Sequence, residues 1–244
     1  MGYKETYNRW LTSDVVDDDT KAELKSIENN EKEIEERFYR ELEFGTAGMR
    51  GIIGAGTNRI NIYNVRRASQ GVAKYVLSNG EDAAKAGVLI GYDTRNFSRT
   101  FAEETAKVLT CAGVKTYLFP IVHSVPEFSF GIRELGCSAG VMITASHNPK
   151  EYNGYKAYWD DGAQVLAPHD KGIIDEVNKV GAEDIKGLHT VLDTANPLIE
   201  IIGEEIDKLY LDKIKTISID PEAIRRQKDM KIVYTPIHGT GMML

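Results

Sequence analysis

The middle of the chain alternates between short apolar runs and amphipathic segments of helical length. The first run, residues 87–92 (GVLIGY), is almost continuously apolar, which is typical of a strand covered on both faces. Similar strands are predicted at 115–119 and 139–144, and helices at 99–112 and 126–135. Strands separated by helices of this length indicate a layered α/β domain, in which functional groups gather at the carboxyl ends of the strands.

The segments before this core contain helices and a glycine-rich tract. Residues 17–42 are strongly charged with apolar side chains at four-residue steps, and Asn30 with Glu33 forms a capping pair, so an amphipathic helix is expected there. Residues 44–56 are dense in glycine, which predicts a loop or an irregular hairpin. Residues 65–77 keep helical spacing and predict another helix.

The segments after the core give a mixed pattern. Residues 155–160 and 163–166 flank Asp161-Gly162, which predicts a hairpin and an antiparallel edge on the sheet. A helix is predicted at 202–214 and a strand at 231–234.

The last residues resemble the opening of an incomplete unit. A glycine-containing loop at 235–241 leads into the apolar residues 242–244, as if another helix were beginning. A strand and helix cut off at this point cannot bury their apolar faces, so we expect the chain to be the front part of a longer protein. On this expectation Val233 and residues 242–244 are disordered, bound to a neighbouring chain, or packed differently from the corresponding residues of complete domains.

Charge and composition exclude several classes of protein. The net charge of −7 argues against a nucleic-acid or membrane-surface partner, because both require a basic face. No apolar run approaches the roughly 18 residues of a membrane-spanning helix, and we expect a cytoplasmic protein. Cys111 and Cys137 have no CxxC spacing, so both are predicted to be buried free thiols. The five histidines have no ligand-like spacing, which argues against a zinc site.

A serine loop follows the third predicted strand. Residues 144–149 (TASHNP) place Ser146 in a short irregular segment that Pro149 stops, an arrangement suited to holding phosphate. A serine is a poor nucleophile unless other groups position it and stabilise the developing charge. Ten extended residues span up to about 33 Å, so a turn at Asn153-Gly154 is expected to bring Lys156 back near Ser146.

Cationic residues near the loop are candidates for phosphate binding and proton transfer. Lys156 is a candidate for phosphate contact and for proton transfer to a substrate hydroxyl. Arg50, beside the flexible glycines, can contact phosphate oxygens in a bidentate manner. Arg95 follows the first strand and could equally cap the strand end or touch the site. His147 is not expected to act as a hydrolase-type base for Ser146, because adjacent residues rarely form such a pair and no GxSxG elbow is present.

Four ordered motifs carry a resemblance to a known family. They are FGTAGMRG (44–51), GYDTR (91–95), TASHNP (144–149) with NGYK (153–156), and TPIHGTG (235–241). In this order and spacing, over about the whole chain, they resemble the α-D-phosphohexomutase superfamily of phosphoglucomutases and phosphomannomutases. The tract before the first motif, with Trp10, resembles the phosphoglucomutase branch that also contains phosphopentomutases.

The resemblance implies a fold and a domain division. It implies a three-layer α/β/α domain with a mixed sheet over residues 1–200, including an N-terminal helical extension at 1–43. Residues 201–244 are then the truncated start of a second, similar α/β domain. The sequence specifies no oligomeric state.

The resemblance also implies roles for individual residues. Ser146 would be carried as a phosphoserine and would also be a ligand of Mg²⁺, a hard cation that prefers oxygen. Lys156 would act as acid/base or electrostatic stabiliser, and Arg50 would steady the phosphoserine. His147 would support the loop. A sugar bisphosphate would serve as activator and intermediate, and the remaining magnesium ligands would lie beyond this chain.

The implied activity is reversible phosphoryl transfer between the 1 and 6 positions of a hexose phosphate, with glucose favoured on the N-terminal tract. The family's aspartate-rich metal loop is absent, so residues 1–244 alone are expected to have little or no mutase activity. The alternative is a non-catalytic module that binds a sugar phosphate or a partner and retains the serine loop. A serine hydrolase is a third, disfavoured interpretation.

Overall fold

The computed structural model of the chain describes residues 2–46, 48–181 and 184–241. Within these ranges the chain forms ten α-helices and one six-stranded sheet. The helices are α1 Tyr3–Thr12, α2 Asp18–Ser26, α3 Glu31–Phe38, α4 Ile62–Ser78, α5 Glu81–Ala86, α6 Ser98–Cys111, α7 Val125–Glu134, α8 His169–Asn178, α9 Glu204–Lys215 and α10 Pro221–Arg226. The strands are β1 Gly48–Ile52, β2 Val88–Tyr92, β3 Thr116–Leu118, β4 Ala139–Ile143, β5 Tyr152–Trp159 and β6 Ile199–Ile201.

The sheet is mixed, as the resemblance implied. Its strand order is β1-β5-β4-β2-β3-β6. The pairs β4–β2, β2–β3 and β3–β6 are parallel, whereas β5 runs antiparallel to both β1 and β4. The strands predicted at 87–92, 115–119 and 139–144 are confirmed as β2, β3 and β4.

Helices cover both faces of the sheet, which confirms the three-layer α/β/α fold. Successive residues of a strand point to opposite faces, and β2 shows this directly. Val88 and Ile90 pack into the larger core with side chains of α4, α6 and α8. Leu89 between them packs into a second core with side chains of α7 and α9. All five residues of β2 are buried, which explains the continuous apolar run in the sequence.

The N-terminal helices form a separate cluster around Phe38. The amphipathic helix expected over residues 17–42 is two helices, and this prediction was wrong in its length. The cause is the capping residue Asn30, whose side chain accepts from the Glu33 N–H at 3.2 Å and starts α3 anew. The predicted capping pair is therefore present, and it separates α3 from α2.

The glycine-rich tract contains a strand. Residues 44–56 were predicted to be a loop or irregular hairpin, but Gly48–Ile52 pairs with β5. Gly48 has a φ of 133°, and a Cβ placed there would lie 1.9 Å from the Tyr155 carbonyl oxygen. The close pairing therefore requires glycine at this position.

The region after the serine loop departs from prediction in three ways. Residues 163–166 form no strand, because only the single bridge Tyr158–Gln164 is made. Strand β5 lies between β1 and β4, not at the edge of the sheet. The expected turn at Asn153-Gly154 is part of β5. Pairing with β1 on one side and with β4 on the other continues β5 through Gly154. Helix α8 lies outside all the segments that the sequence predicted to be helical.

The C-terminal segment packs less closely than the core. The predicted helix at 202–214 is confirmed as α9, which packs on α7. The strand predicted at 231–234 is absent from the described residues, and Val233 is fully exposed at 99%. No neighbouring strand in the described residues offers it hydrogen bonds. The expectation for residues 242–244 concerns residues outside those described.

The two cysteines differ in environment. Cys137 is buried, as predicted, whereas Cys111 is exposed, so the prediction for Cys111 was wrong. Cys111 is the last residue of α6, where the helix end reaches the surface. In the described part of the chain, every helix is too short or too polar to cross a membrane.

Candidate functional site

The predicted serine loop begins where β4 ends. Thr144 and Ala145 are buried, and the chain emerges at Ser146, which is exposed. Ser146 has a φ of 56°, in the left-handed region that residues with a side chain rarely adopt. Its N–H donates to Thr144 Oγ1 at 2.9 Å, and the Asn148 N–H donates to the Ala145 carbonyl at 3.1 Å. A tight, strained turn therefore presents the serine hydroxyl to solvent.

Arg95 fixes the backbone of this loop. Its Nη2 donates to the Ser146 carbonyl at 2.7 Å and to the Asn148 carbonyl at 2.6 Å. Its Nη1 donates to the carbonyls of Pro149 at 2.9 Å and Tyr152 at 3.0 Å. Hydrogen bonds from a charged donor are stronger than neutral ones, so four of them define the path of the loop.

Asp93 holds Arg95 in place at the carboxyl end of β2. Its Oδ1 accepts from the Arg95 N–H at 3.0 Å and from Ser98 Oγ at 2.8 Å. Its Oδ2 lies 3.5 Å from Arg95 Nε. The sequence left open whether Arg95 caps the strand or touches the site, and in the structure its side chain contacts the backbone of the serine loop.

Asn153 anchors the other end of the loop. This fully buried side chain donates from Nδ2 to the Asn96 carbonyl at 2.9 Å and to Ser98 Oγ at 3.0 Å. Its Oδ1 accepts from the Gly154 N–H at 2.7 Å. The start of β5 is thereby tied to the start of α6, and both ends of the serine loop are fixed to the sheet.

Lys156 returns to the serine loop through strand pairing. It lies opposite Met142 of β4 and Gly48 of β1. The sequence predicted its return but assigned it to a turn at Asn153-Gly154. The turn lies at residues 145–152, and the antiparallel pairing of β4 and β5 carries Lys156 back.

Arg50 reaches the loop from β1. It lies opposite Gly154 in the sheet register, and its Nη1 donates to Asn148 Oδ1 at 3.1 Å. Arg50, Lys156 and Ser146 line one pocket of about 270 Å³. Two cations and a hydroxyl therefore share a small surface concavity, although the chain as a whole is acidic. Such an arrangement attracts an anion locally.

His147 contacts the serine. Ser146 Oγ and His147 Nδ1 lie 3.3 Å apart, within hydrogen-bonding distance, and the expectation that His147 is not a hydrolase-type base stays a prediction. In the described residues no carboxylate contacts His147, so the third member of a hydrolase triad is missing.

A larger cleft of about 1070 Å³ opens beside the serine. Asp93, Arg95 and Ser146 line one side of it. Residues 236–240, within the fourth motif, line another side, and Thr94 Oγ1 donates to the His238 carbonyl at 2.5 Å. The cleft has room for a ligand much larger than phosphate, with the serine hydroxyl at its wall.

The residues that the sequence did not assign are mainly those that position the loop. Asp93, Asn148 and Asn153 act through backbone contacts and other side chains. The signal that could have identified Asp93 is its place in GYDTR directly after a buried strand, where side chains reach the carboxyl edge of the sheet.

Comparisons with known proteins agree with the fold and the motifs. Residues 41–184 match the family model described as phosphoglucomutase/phosphomannomutase, alpha/beta/alpha domain I. A Schizosaccharomyces pombe protein named as a probable phosphoribomutase is 37% identical over 241 residues, covering 98% of this chain and 41% of that protein. A Staphylococcus haemolyticus phosphoglucomutase is 39% identical over 212 residues, covering 85% of this chain and 37% of that protein.

A solved structure shows the same fold. The Paramecium pp63/parafusin phosphoglucomutase in its open form has a TM-score of 0.62 at 18% identity, covering 83% of this chain and 40% of that one. The chain spans about two fifths of the length of the relatives that it matches.

Proposed function

Because the chain belongs to the phosphoglucomutase/phosphomannomutase family, we propose that it is part of a phosphosugar mutase in which Ser146 carries the transferred phosphoryl group. The observation that supports this most directly is the strained turn that presents the Ser146 hydroxyl beside Arg50 and Lys156. Phosphoryl transfer depends mainly on positioning and on cations that stabilise charge, and the pocket offers both.

The proposed transfer step uses a sugar bisphosphate as donor. Ser146 Oγ attacks the phosphorus atom, an Oγ–P bond forms, and the bond from phosphorus to the sugar oxygen breaks. The proton that leaves Ser146 ends on the released sugar oxygen, so the products are phosphoserine and a sugar monophosphate. The reverse step returns the phosphoryl group to the other position of the sugar.

The neighbouring residues have distinct proposed roles. Lys156 and Arg50 stabilise negative charge on the phosphoryl oxygens, and Lys156 also assists proton transfer. His147 orients the Ser146 hydroxyl through the contact at 3.3 Å. Arg95 positions the loop without touching the reacting atoms.

The described residues do not form a magnesium site at Ser146 by themselves. Asp93 is the carboxylate that shares the large cleft with Ser146, and Arg95 and Ser98 occupy its oxygens. Mg²⁺ prefers six oxygen ligands, several of them water. A phosphoserine oxygen is the one ligand that this region would supply, so no catalytic step is assigned to the ion.

We further propose hexose phosphate as the substrate class, with transfer between the 1 and 6 positions and glucose favoured. The relatives are named both as a phosphoribomutase and as a phosphoglucomutase, so pentose phosphate is the competing choice. We also propose the division into a domain at 1–200, with a helical extension at 1–43, and the start of a second domain at 201–244.

The experiment compares two donors. The full-length mutase that is proposed to contain this chain is incubated with Mg²⁺ and with glucose 1,6-bisphosphate or ribose 1,5-bisphosphate, and phosphate on Ser146 is followed by intact mass and peptide mapping. We expect labelling of Ser146, faster by about tenfold or more with the glucose donor, the effect of about 1.4 kcal/mol in transition-state binding. Faster labelling by the ribose donor would contradict the glucose assignment alone, whereas labelling by neither would contradict the phosphoserine.

The competing interpretation is a non-catalytic module that binds sugar phosphate or a partner. It predicts binding of the sugar phosphate without covalent phosphate on Ser146. The same mass measurement therefore distinguishes the two interpretations.

Replacing Arg95 tests its positioning role. Arg95→Ala removes four hydrogen bonds to the serine loop, and a displacement of about 1 Å at a reacting group costs about a hundredfold in rate. We expect the rate of Ser146 phosphorylation at saturating donor to fall by about a hundredfold, with a smaller change in the donor concentration for half-maximal rate. Arg99→Ala is the matched control, because Arg99 is exposed, lies nearby on α6 and forms an ion pair with half-buried Glu103 of the same helix. Equal rates for the two variants would contradict the role of Arg95.

A further inference from the structure

A second polar group lies where the start of α7 packs near the start of α9. It consists of His123, Glu127 and Asp207, whose potential ligand atoms all lie within 4.8 Å of one another. His123 and Glu127 are 2% and 1% exposed. In the described residues, no other group of three or more histidine, cysteine, aspartate or glutamate side chains has ligand atoms this close together. None of the serine-loop residues belongs to it.

The orientation of His123 is fixed. Its ring stacks on Phe119 with the centroids 3.8 Å apart, and its Nδ1 lies 2.9 Å from the Ile121 carbonyl. A carbonyl oxygen only accepts hydrogen bonds, so Nδ1 carries the proton. The other ring nitrogen, Nε2, faces Asp207 Oδ1 at 3.0 Å. In neutral imidazole this nitrogen bears a lone pair, so a proton or a cation is needed between it and the carboxylate.

Glu127 lacks the partner that its sequence position predicts. Ser124 and Glu127 have the spacing of a capping box, in which the glutamate accepts from the N–H of the capping serine. Ser124 Oγ accepts from the Glu127 N–H at 3.3 Å, but the reciprocal bond is absent from the described residues. Glu127 Oε1 is instead buried without a hydrogen-bond partner in the described structure. Burial is the main cause that raises the pKa of Glu127 to about 7, and Asp207 raises it further while His123 opposes the shift.

We propose that His123, Glu127 and Asp207 bind a divalent transition-metal ion of the Zn²⁺ type. The ion would accept the free lone pair of His123 Nε2 and the unpartnered oxygen of Glu127. Its two positive charges would offset two carboxylates at a site where an unpaired charge is costly. This inference does not depend on the phosphoserine chemistry.

The spacing of the donor atoms agrees with such an ion. Zinc binds nitrogen and carboxylate oxygen at about 2.0–2.2 Å, so tetrahedral ligand atoms lie about 3.3–3.6 Å apart. His123 Nε2 and Asp207 Oδ1 lie 3.0 Å apart, and all three potential ligand atoms lie within 4.8 Å of one another, so the three side chains are close enough to share one ion. The bond from His123 Nδ1 to a backbone carbonyl is the outer contact that commonly orients a metal-binding histidine.

The donor set selects the class of ion. Imidazole suits zinc and other late transition metals, whereas magnesium takes oxygen ligands and keeps several waters. Asp207 is 22% exposed at its side chain, which leaves a route for entry and room for a water as fourth ligand. Asp207 belongs to α9 and the other two residues to the β3–α7 segment, so the ion would tie α9 to the first part of the fold.

The test is calorimetric titration of the metal-free protein with Zn²⁺ and, separately, with Mg²⁺. We expect one equivalent of Zn²⁺ to bind and no saturable binding of Mg²⁺ over the same concentrations. Glu127→Gln keeps the shape of the side chain and removes a buried charge, so the fold should persist while Zn²⁺ affinity falls at least about tenfold. Asp207→Asn should have a similar effect. Asp212→Asn, an exposed acid on the same helix, is the matched control and should bind Zn²⁺ as the parent does.

A second readout uses Co²⁺ in place of Zn²⁺. A visible absorption band of tetrahedral Co²⁺ in the parent protein, lost in Glu127→Gln, would support the site. The proposal is overturned if Zn²⁺ does not bind, if Mg²⁺ binds equally well, or if Glu127→Gln and Asp207→Asn leave the stoichiometry and affinity unchanged.

Discussion

The variant Ser146→Ala is expected to abolish phosphorylation of the protein by a sugar bisphosphate. The hydroxyl oxygen is the proposed acceptor, and alanine has no atom that can form the bond to phosphorus. Peptide mapping by mass spectrometry should find phosphate on residue 146 of the parent protein and none on the variant. Undiminished labelling of the variant would place the acceptor elsewhere and contradict the proposed mechanism.

Two further variants sharpen this result. Ser146→Thr retains a hydroxyl but places a β-branched residue at a φ of 56°, a strain of about 1–3 kcal/mol that should slow labelling by about 5-fold to 150-fold. Ser218→Ala removes an exposed serine far along the chain and should label at the parent rate. A threonine variant as fast as the parent would show that the strained turn does not matter for transfer.

The central strands and helices could be predicted from sequence because local pattern and burial agree there. All residues of β2 and β4 are buried, so the apolar runs were unambiguous. Strand β1 was missed because glycine normally indicates a loop. Here glycine is required at position 48 because the Tyr155 carbonyl of the partner strand approaches so closely that a side chain would not fit. This steric requirement arises from pairing between segments far apart in the chain, so it produces no periodic pattern of apolar residues in the sequence.

Some residues of the candidate site could likewise be predicted from the sequence, and others could not. Ser146 and Lys156 were identified because a serine in a proline-stopped loop and a lysine shortly after it are local features. The clamp by Arg95 was left open, since its four acceptors are backbone carbonyls that no residue type reveals. His123 was set aside because histidine spacing along the chain does not show that Asp207 lies 3.0 Å away.

The register of β5 also places Lys156 close to Ser146. Lys156 is a half-buried residue, and its position opposite Met142 and Gly48 places it in the lining of the pocket of Ser146. In the described residues no carboxylate pairs with Lys156, so its charge is available to an incoming phosphoryl group. Arg50, by contrast, already donates to the Asn148 side chain.

Replacing Lys156 should therefore have the second largest effect on phosphoryl transfer. Lys156→Met keeps most of the side-chain volume and removes the charge, and the loss of one preorganised group that stabilises transition-state charge costs about 10²–10³-fold in rate. Single-turnover phosphorylation of Ser146 at saturating sugar bisphosphate measures this effect. Lys171→Met, at an exposed position of α8, should react within about threefold of the parent.

Lys156→Arg separates the two proposed roles, because arginine keeps the charge but does not give up its proton. Partial recovery with arginine would assign Lys156 to charge stabilisation, no recovery would assign it to proton transfer, and a parent-like rate for Lys156→Met would exclude both.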